Sequence, residues 1–154
     1  MPKTYGPPLT RRTLLTGGVV AMGGLWWTSQ RYRPPHHIAR LSVQEVFDRA
    51  ASGEVLLVDI RTPTEWQRTG LPQGAVPLDM RRLDFTTELL RLTGGSVDKA
   101  VALICAGGVR SSRLSLRLSE TGFTQIIDVP EGMVGSAEGP GWLKSKLPII
   151  DWQG

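Results

Sequence analysis

Residues 100–111 read Ala100-Val101-Ala102-Leu103-Ile104-Cys105-Ala106-Gly107-Gly108-Val109-Arg110-Ser111. Five apolar residues in a row, bounded by polar chain, suit a strand covered on both faces, the pattern of a parallel sheet. The run ends on the one cysteine of the chain. Two glycines then allow a tight turn. A helix is expected from Ser111 to Glu120, with Leu114, Leu116 and Leu118 as apolar positions and a stop at Gly122. In open parallel sheets, such strand-to-helix crossings face the ligand-binding edge.

The same alternation extends in both directions. Upstream, Val55-Leu56-Leu57-Val58 is a second continuous apolar run and a second central strand. Between the two, a short helix is expected from Thr62-Pro63 to Arg68, with Pro63 suited to the first turn. A strand follows over Ala75–Leu78, then a helix over Phe85–Leu92 stopped by Gly94-Gly95. Nearer the N-terminus, Ile38–Leu41 reads as a short strand, and Ser42 with Glu45 reads as a capping box. The helix it opens carries Val46, Phe47 and Ala50 and ends at Gly53. Downstream, Gln125–Val129 is the last strand and Trp142–Leu147 a final short helix. Trp66 and Trp142 are expected in the core. Strands and helices alternate throughout, so the expected class is α/β: an open, mostly parallel five-stranded sheet with helices on both faces.

The length of 154 residues allows one domain and an extension. The net charge of +4 is unevenly placed. Lys3, Arg11, Arg12, Arg31, Arg33 and Arg40 face no acid in residues 1–40, so the rest of the chain is slightly acidic. The basic character belongs to the N-terminal stretch, which argues against a nucleic-acid footprint on the folded part. One cysteine excludes an internal disulfide and a cysteine-based zinc site. His36 and His37 are the only histidines and lie beside Pro34-Pro35. No metal site and no cofactor are expected, and no Cys–His pair is available for base-assisted catalysis.

A nucleophile without a base must draw on backbone dipoles and arginine. The Gly107-Gly108 turn and the start of the following helix form an anion-holding concavity with the thiol at its base. That field favours the thiolate, the form that attacks sulfur. Arg110 offers planar donors that can close over an anionic substrate. Asp59 and Arg61 at a strand end, and Glu65 beyond them, read first as structural ion pairs or turn caps and second as substrate contacts.

On these residues the chain resembles the rhodanese family over about residues 38–150. Cys105 followed by Ala106, Gly107, Gly108, Val109 and Arg110 matches its six-residue active-site loop, with Ser111 next. Asp59-Ile60-Arg61 resembles the family's strand end. Glu65-Trp66, Gly70, and Gly74-Ala75-Val76-Pro77-Leu78 resemble its following signature. Gly122-Phe123, Ile127-Asp128-Val129, and Gly141-Trp142 with Leu147-Pro148-Ile149 fit its C-terminal run. The departures are Ala106, where many members carry Arg, and the segment Glu131–Pro140, where the usual glycine pair becomes Glu131-Gly132-Met133-Val134-Gly135. The resemblance implies a sulfurtransferase. Cys105 would take sulfane sulfur from a small donor such as thiosulfate, and a thiol or cyanide acceptor would remove it. Two other readings keep the fold: a module that holds a persulfide or anion for a partner protein, and a phosphatase or arsenate reductase. The last class uses a loop one residue longer than Cys105–Arg110.

Residues 1–30 have the layout of an export signal or N-terminal anchor. Thr10-Arg11-Arg12-Thr13-Leu14-Leu15 resembles the twin-arginine motif. The apolar run from Leu14 to Trp27, ending in Trp26-Trp27, offers membrane contact. The expected division is therefore signal or anchor at 1–30, linker at 31–37, domain at 38–150 and tail at 151–154. The expected location is the bacterial periplasm or the periplasmic face of the inner membrane, where a partner protein could meet the domain.

Overall fold

The computed structural model describes residues 38–154, and the export signal, the linker, Trp26-Trp27 and the two histidines lie outside them. In chain order the elements are β1 (Ala39–Arg40), α1 (Val43–Ala51), β2 (Leu56–Asp59), α2 (Pro63–Thr69), β3 (Leu71–Pro72), β4 (Val76–Pro77), α3 (Phe85–Leu92), β5 (Val101–Ile104), α4 (Val109–Glu120), β6 (Ile126–Asp128), α5 (Gly141–Lys144) and β7 (Ile149–Ile150). Five strands form one sheet in the order β1-β6-β5-β2-β4, and every pairing in it is parallel.

Alternation along β2 and β5 divides the core into two layers. Val58, Val101 and Leu103 point to one face, where Phe85 and Leu89 of α3 and Leu114 and Leu118 of α4 cover them. Leu57, Ala102 and Ile104 point to the other, where Val43 and Val46 of α1 and Trp142 of α5 pack. Both apolar runs are buried because both faces carry helices, as parallel sheets require. Phe47 meets Trp142 edge to face at 5.7 Å, closing the α1–α5 side.

Register places the chemistry. Asp59 pairs with Ile104, and Leu103 pairs with Asp128. The carboxyl ends of β2, β5 and β6 thus share one edge, and Cys105 follows directly. The buried acid Asp59 is held there by Arg61: its oxygens accept from Arg61 Nε at 2.9 and 3.0 Å and from Nη2 at 2.7 Å. The same guanidinium donates to Thr69 Oγ1 and to the Gly70 carbonyl, each at 2.7 Å. One buried side chain therefore ties β2 to the end of α2.

Several expected boundaries move. Helix α4 begins at Val109, not Ser111, because Gly108 takes a left-handed backbone conformation (φ 83°) and serves as N-cap. The last helix is Gly141–Lys144 rather than Trp142–Leu147. The Ala75–Leu78 strand is reduced to Val76–Pro77, since Pro77 has no N–H to extend the ladder. An unanticipated antiparallel pair joins Leu71–Pro72 to Ile149–Ile150 outside the main sheet. Near it, Trp152 meets Trp66 edge to face at 5.4 Å.

Arg61→Ala would strand the buried Asp59 carboxylate and orphan two further acceptors. The expected cost is about 3–5 kcal/mol, read as a lower urea midpoint with an unchanged slope. A loss below about 1 kcal/mol would contradict the assigned structural role.

Candidate active site

The cysteine loop is pinned from the side of the chain that follows β6. Met133 N donates to the Cys105 carbonyl and Val134 N to the Ala106 carbonyl, both at 2.9 Å. The two segments approach so closely that only glycine fits at the crossing. A Cβ on Gly108 would collide with the Pro130 carbonyl, and one on Gly132 with the carbonyls of Ala106 and Cys105. The backbone path of the loop is therefore fixed before any ligand arrives.

Among the described residues, no acceptor takes a hydrogen bond from the N–H groups of Ala106 through Ser111. Val109 to Ser111 are the first turn of the twelve-residue helix α4, whose positive end adds to these free donors. Cys105 itself is 1% exposed. Its Sγ lies 3.6 Å from Ser111 Oγ, toward which the thiol donates. Ser111 Oγ in turn donates toward Asp128 Oδ1 at 2.7 Å, with the Gly108 carbonyl a second acceptor at 2.9 Å.

Arg110 is not open in the way its sequence position suggests. Its Nη1 and Nη2 donate to Glu65 at 2.9 and 2.5 Å, a two-point grip that joins α4 to α2. Glu65 also closes the capping box of α2 with Thr62. The Arg110 guanidinium holds the Glu65 carboxyl down at about 2, against the opposing effect of burial, with the Thr62 contacts helping. Arg110 is raised in return, chiefly by Glu65, with smaller contributions from the neighbouring Cys105. Of the acidic and basic residues singled out from sequence, Asp59 and Arg61 thus form the structural pair, while Glu65 reaches the site through Arg110.

Two further buried acids, Asp128 and Glu131, are not singled out as site residues by the sequence. Asp128 ends β6, and burial pushes its carboxyl up, with Ser111 and Arg40 pulling it partly back and Glu138 adding to the push. Its position at the carboxyl end of a parallel strand is one sequence signal for it. Glu131 accepts from Val43 N and Gly141 N, each at 3.1 Å. It joins the starts of α1 and α5 and holds the Glu131–Pro140 segment against the domain. Beside the loop, a groove of about 430 Å³ is lined by Arg40, Gly108, Arg113, Asp128 and Glu138 among others.

A doubly wound parallel sheet thus carries its lone thiol at the end of a central strand, in a loop whose amides are unpaired among the described residues. The chain belongs to the rhodanese-like domain family, whose model matches residues 42–138. It is 30% identical over 105 residues to a sulfurtransferase of Allochromatium vinosum, covering 68% of this chain and 87% of the relative. Solved structures support the fold. A polysulfide-sulfur transferase homodimer of Wolinella succinogenes matches with TM-score 0.54 and 24% identity, over 75% of this chain and 80% of its own. A crystal structure from M. tuberculosis matches with TM-score 0.58 and 23% identity, over 75% of this chain and all of that one.

The Glu65–Arg110 pair sets a pH dependence. Glu65 is depressed in the folded state, so its contribution is full above its ordinary value of 4.5 and is lost as pH falls toward about 2. Glu65→Gln retains capping geometry but loses the charge. At neutral pH this variant is expected to be less stable by about 1–2 kcal/mol, a figure reduced for the partial exposure of Arg110. The difference should shrink as wild type and variant are compared from pH 5 down to pH 2 by chemical denaturation. A gap that stays constant with pH would contradict it.

Proposed function

We infer that this domain is a sulfurtransferase in which Cys105 carries the sulfur. The observation that carries the reading is the set of unpaired N–H groups from Ala106 to Ser111 around the only thiol. Such donors stabilise a sulfur anion.

The Cys105 thiolate attacks the outer sulfur of a donor such as thiosulfate. A sulfur–sulfur bond forms at Cys105, the donor's own sulfur–sulfur bond breaks, and sulfite leaves with the electron pair. A thiol or cyanide acceptor then attacks the outer sulfur of the Cys105 persulfide, and the Cys105 thiolate is the leaving group. Ala106, Gly107, Gly108, Val109 and Ser111 supply the cradle. Arg110 keeps Nε–H and its outer hydrogens for an anionic donor while Glu65 steadies the fork. The burial of Cys105 gives some weight to a second reading, a module that stores a persulfide for a partner protein and turns over little by itself. Catalytic release of sulfur to cyanide separates the two.

The deciding measurement is intact mass after exposure to thiosulfate. Wild type should gain one sulfur atom, and cyanide or a small thiol should remove it. Cys105→Ser should gain none and remain folded. No gain on wild type with several sulfane donors would overturn the reading.

The same proposal places the domain in the periplasm behind residues 1–30. Replacing Arg11 and Arg12 together by Lys keeps the charge and removes the twin pair, so the protein should remain cytoplasmic on cell fractionation. Normal periplasmic or membrane delivery would contradict a twin-arginine route.

A further inference from the structure

Asp128 lies behind the sulfur, and the hydrogen bonds between them run in one direction. Ser111 has a single hydrogen. Its two oxygen acceptors are the Gly108 carbonyl and Asp128 Oδ1, and the shorter contact is to the carboxylate. A charge-assisted bond outcompetes a neutral carbonyl, so the hydrogen points to Asp128. Ser111 Oγ therefore faces Cys105 as an acceptor, and the thiol supplies the hydrogen across the 3.6 Å between them. Cys105, Ser111 and Asp128 are 1%, 0% and 2% exposed, so water does not readily take over either contact.

Loss of the thiol proton to solvent would oppose this arrangement twice. It sets a negative sulfur one residue away from a negative carboxylate. It also calls for the Ser111 hydrogen on the sulfur, leaving Asp128 without its donor. The cations beside the pair are engaged by other acids, although Arg110 also interacts with Cys105. Arg40 of β1 keeps its Nε 3.9 Å from Asp128 Oδ2, while its Nη2 is engaged by Glu138 at 3.3 Å. On the sulfur side Arg110 of α4 is gripped by Glu65 of α2.

We propose that Asp128, acting through Ser111, holds the resting Cys105 as a thiol and withholds the Ser111 hydrogen from the sulfur until a ligand or a proton at Asp128 releases it. Asp128 is thus a positioning residue. It restrains a lone thiol that has no resolving cysteine, and so slows its oxidation between turnovers. When Asp128 is neutral, Ser111 is free to donate to the sulfur anion, because a thiolate outcompetes the Gly108 carbonyl. Burial raising the Asp128 carboxyl favours that release. The proposal rests on Cys105 as the sulfur carrier, but it concerns the thiol before any donor binds.

The test is the rate of Cys105 alkylation by iodoacetamide against pH, read by intact mass on the full chain, where no other thiol competes. Asp128→Asn and Asp128→Ala should both move the alkylation midpoint down by about one pH unit, which raises the rate near pH 6 roughly tenfold. Most of that gain should vanish in a Ser111→Ala background, whereas Ser111→Thr should keep the wild-type midpoint. An unmoved or raised midpoint in the folded Asp128 variants would overturn the proposal. So would a gain that survives intact without Ser111. Wild type supplies a check that needs no variant: its infrared spectrum near neutral pH should show the S–H stretch of Cys105, and absence of that band would also overturn it. Because alkylation needs no sulfur donor, failure of persulfide formation and failure of this restraint are separate results.

Discussion

The close crossing of the cysteine loop and the chain after β6 is the constraint on which the site depends. Met133 and Val134 donate to the Cys105 and Ala106 carbonyls, and Gly108 and Gly132 have no room for a Cβ. This contact leaves the loop carbonyls committed and its N–H groups free. A loop bonded through its amides would offer an anion nothing. Glu131 completes the arrangement by holding the starts of α1 and α5 to the same segment. The Glu131–Pro140 segment, where the chain departs from the family's compact glycine pair, thus helps to fix the path of the cysteine loop.

Around this frame, several arginines are held by acids. Arg61 is spent on Asp59, Arg110 on Glu65, and Arg81 on Asp79 at the adjoining turn. Beside the sulfur, backbone dipoles need no reorganisation when charge develops, and Arg110 adds its charge next to Cys105. The serine beside it is tied to a buried acid. On the proposed function, the site combines unpaired loop amides that can hold a sulfur anion with a Ser111–Asp128 contact that restrains the unloaded thiol until a donor binds.

Much of this is legible in the chain. The runs Val55–Val58 and Ala100–Ile104 have the composition of strands buried on both faces, and both are central strands. Ser42 and Glu45 make the capping box their spacing implies. Thr62 and Glu65 have the same spacing and make a second one, so the dual role of Glu65 is half visible. Its grip on Arg110 spans 45 residues of sequence and follows only from the fold. The start of α4 is masked in the sequence because Gly108 is both turn residue and N-cap. The Leu71–Pro72 pairing with Ile149–Ile150 has no local signal, since two-residue strands have no periodicity to read. Asp128 lies in the Ile127-Asp128-Val129 stretch, but its contact with Ser111 depends on register, which sets it beside Leu103.

On the proposed function, the free amides of Ala106 through Ser111 hold the sulfur anion. Amide NMR spectra of the reduced and sulfur-loaded protein test it most directly. The account predicts that the largest shifts fall on the N–H groups of Ala106 through Ser111, moving downfield as they donate to the persulfide, with the strand amides of β2 and β5 unchanged. Loop amides that stay in place while shifts scatter elsewhere would contradict it.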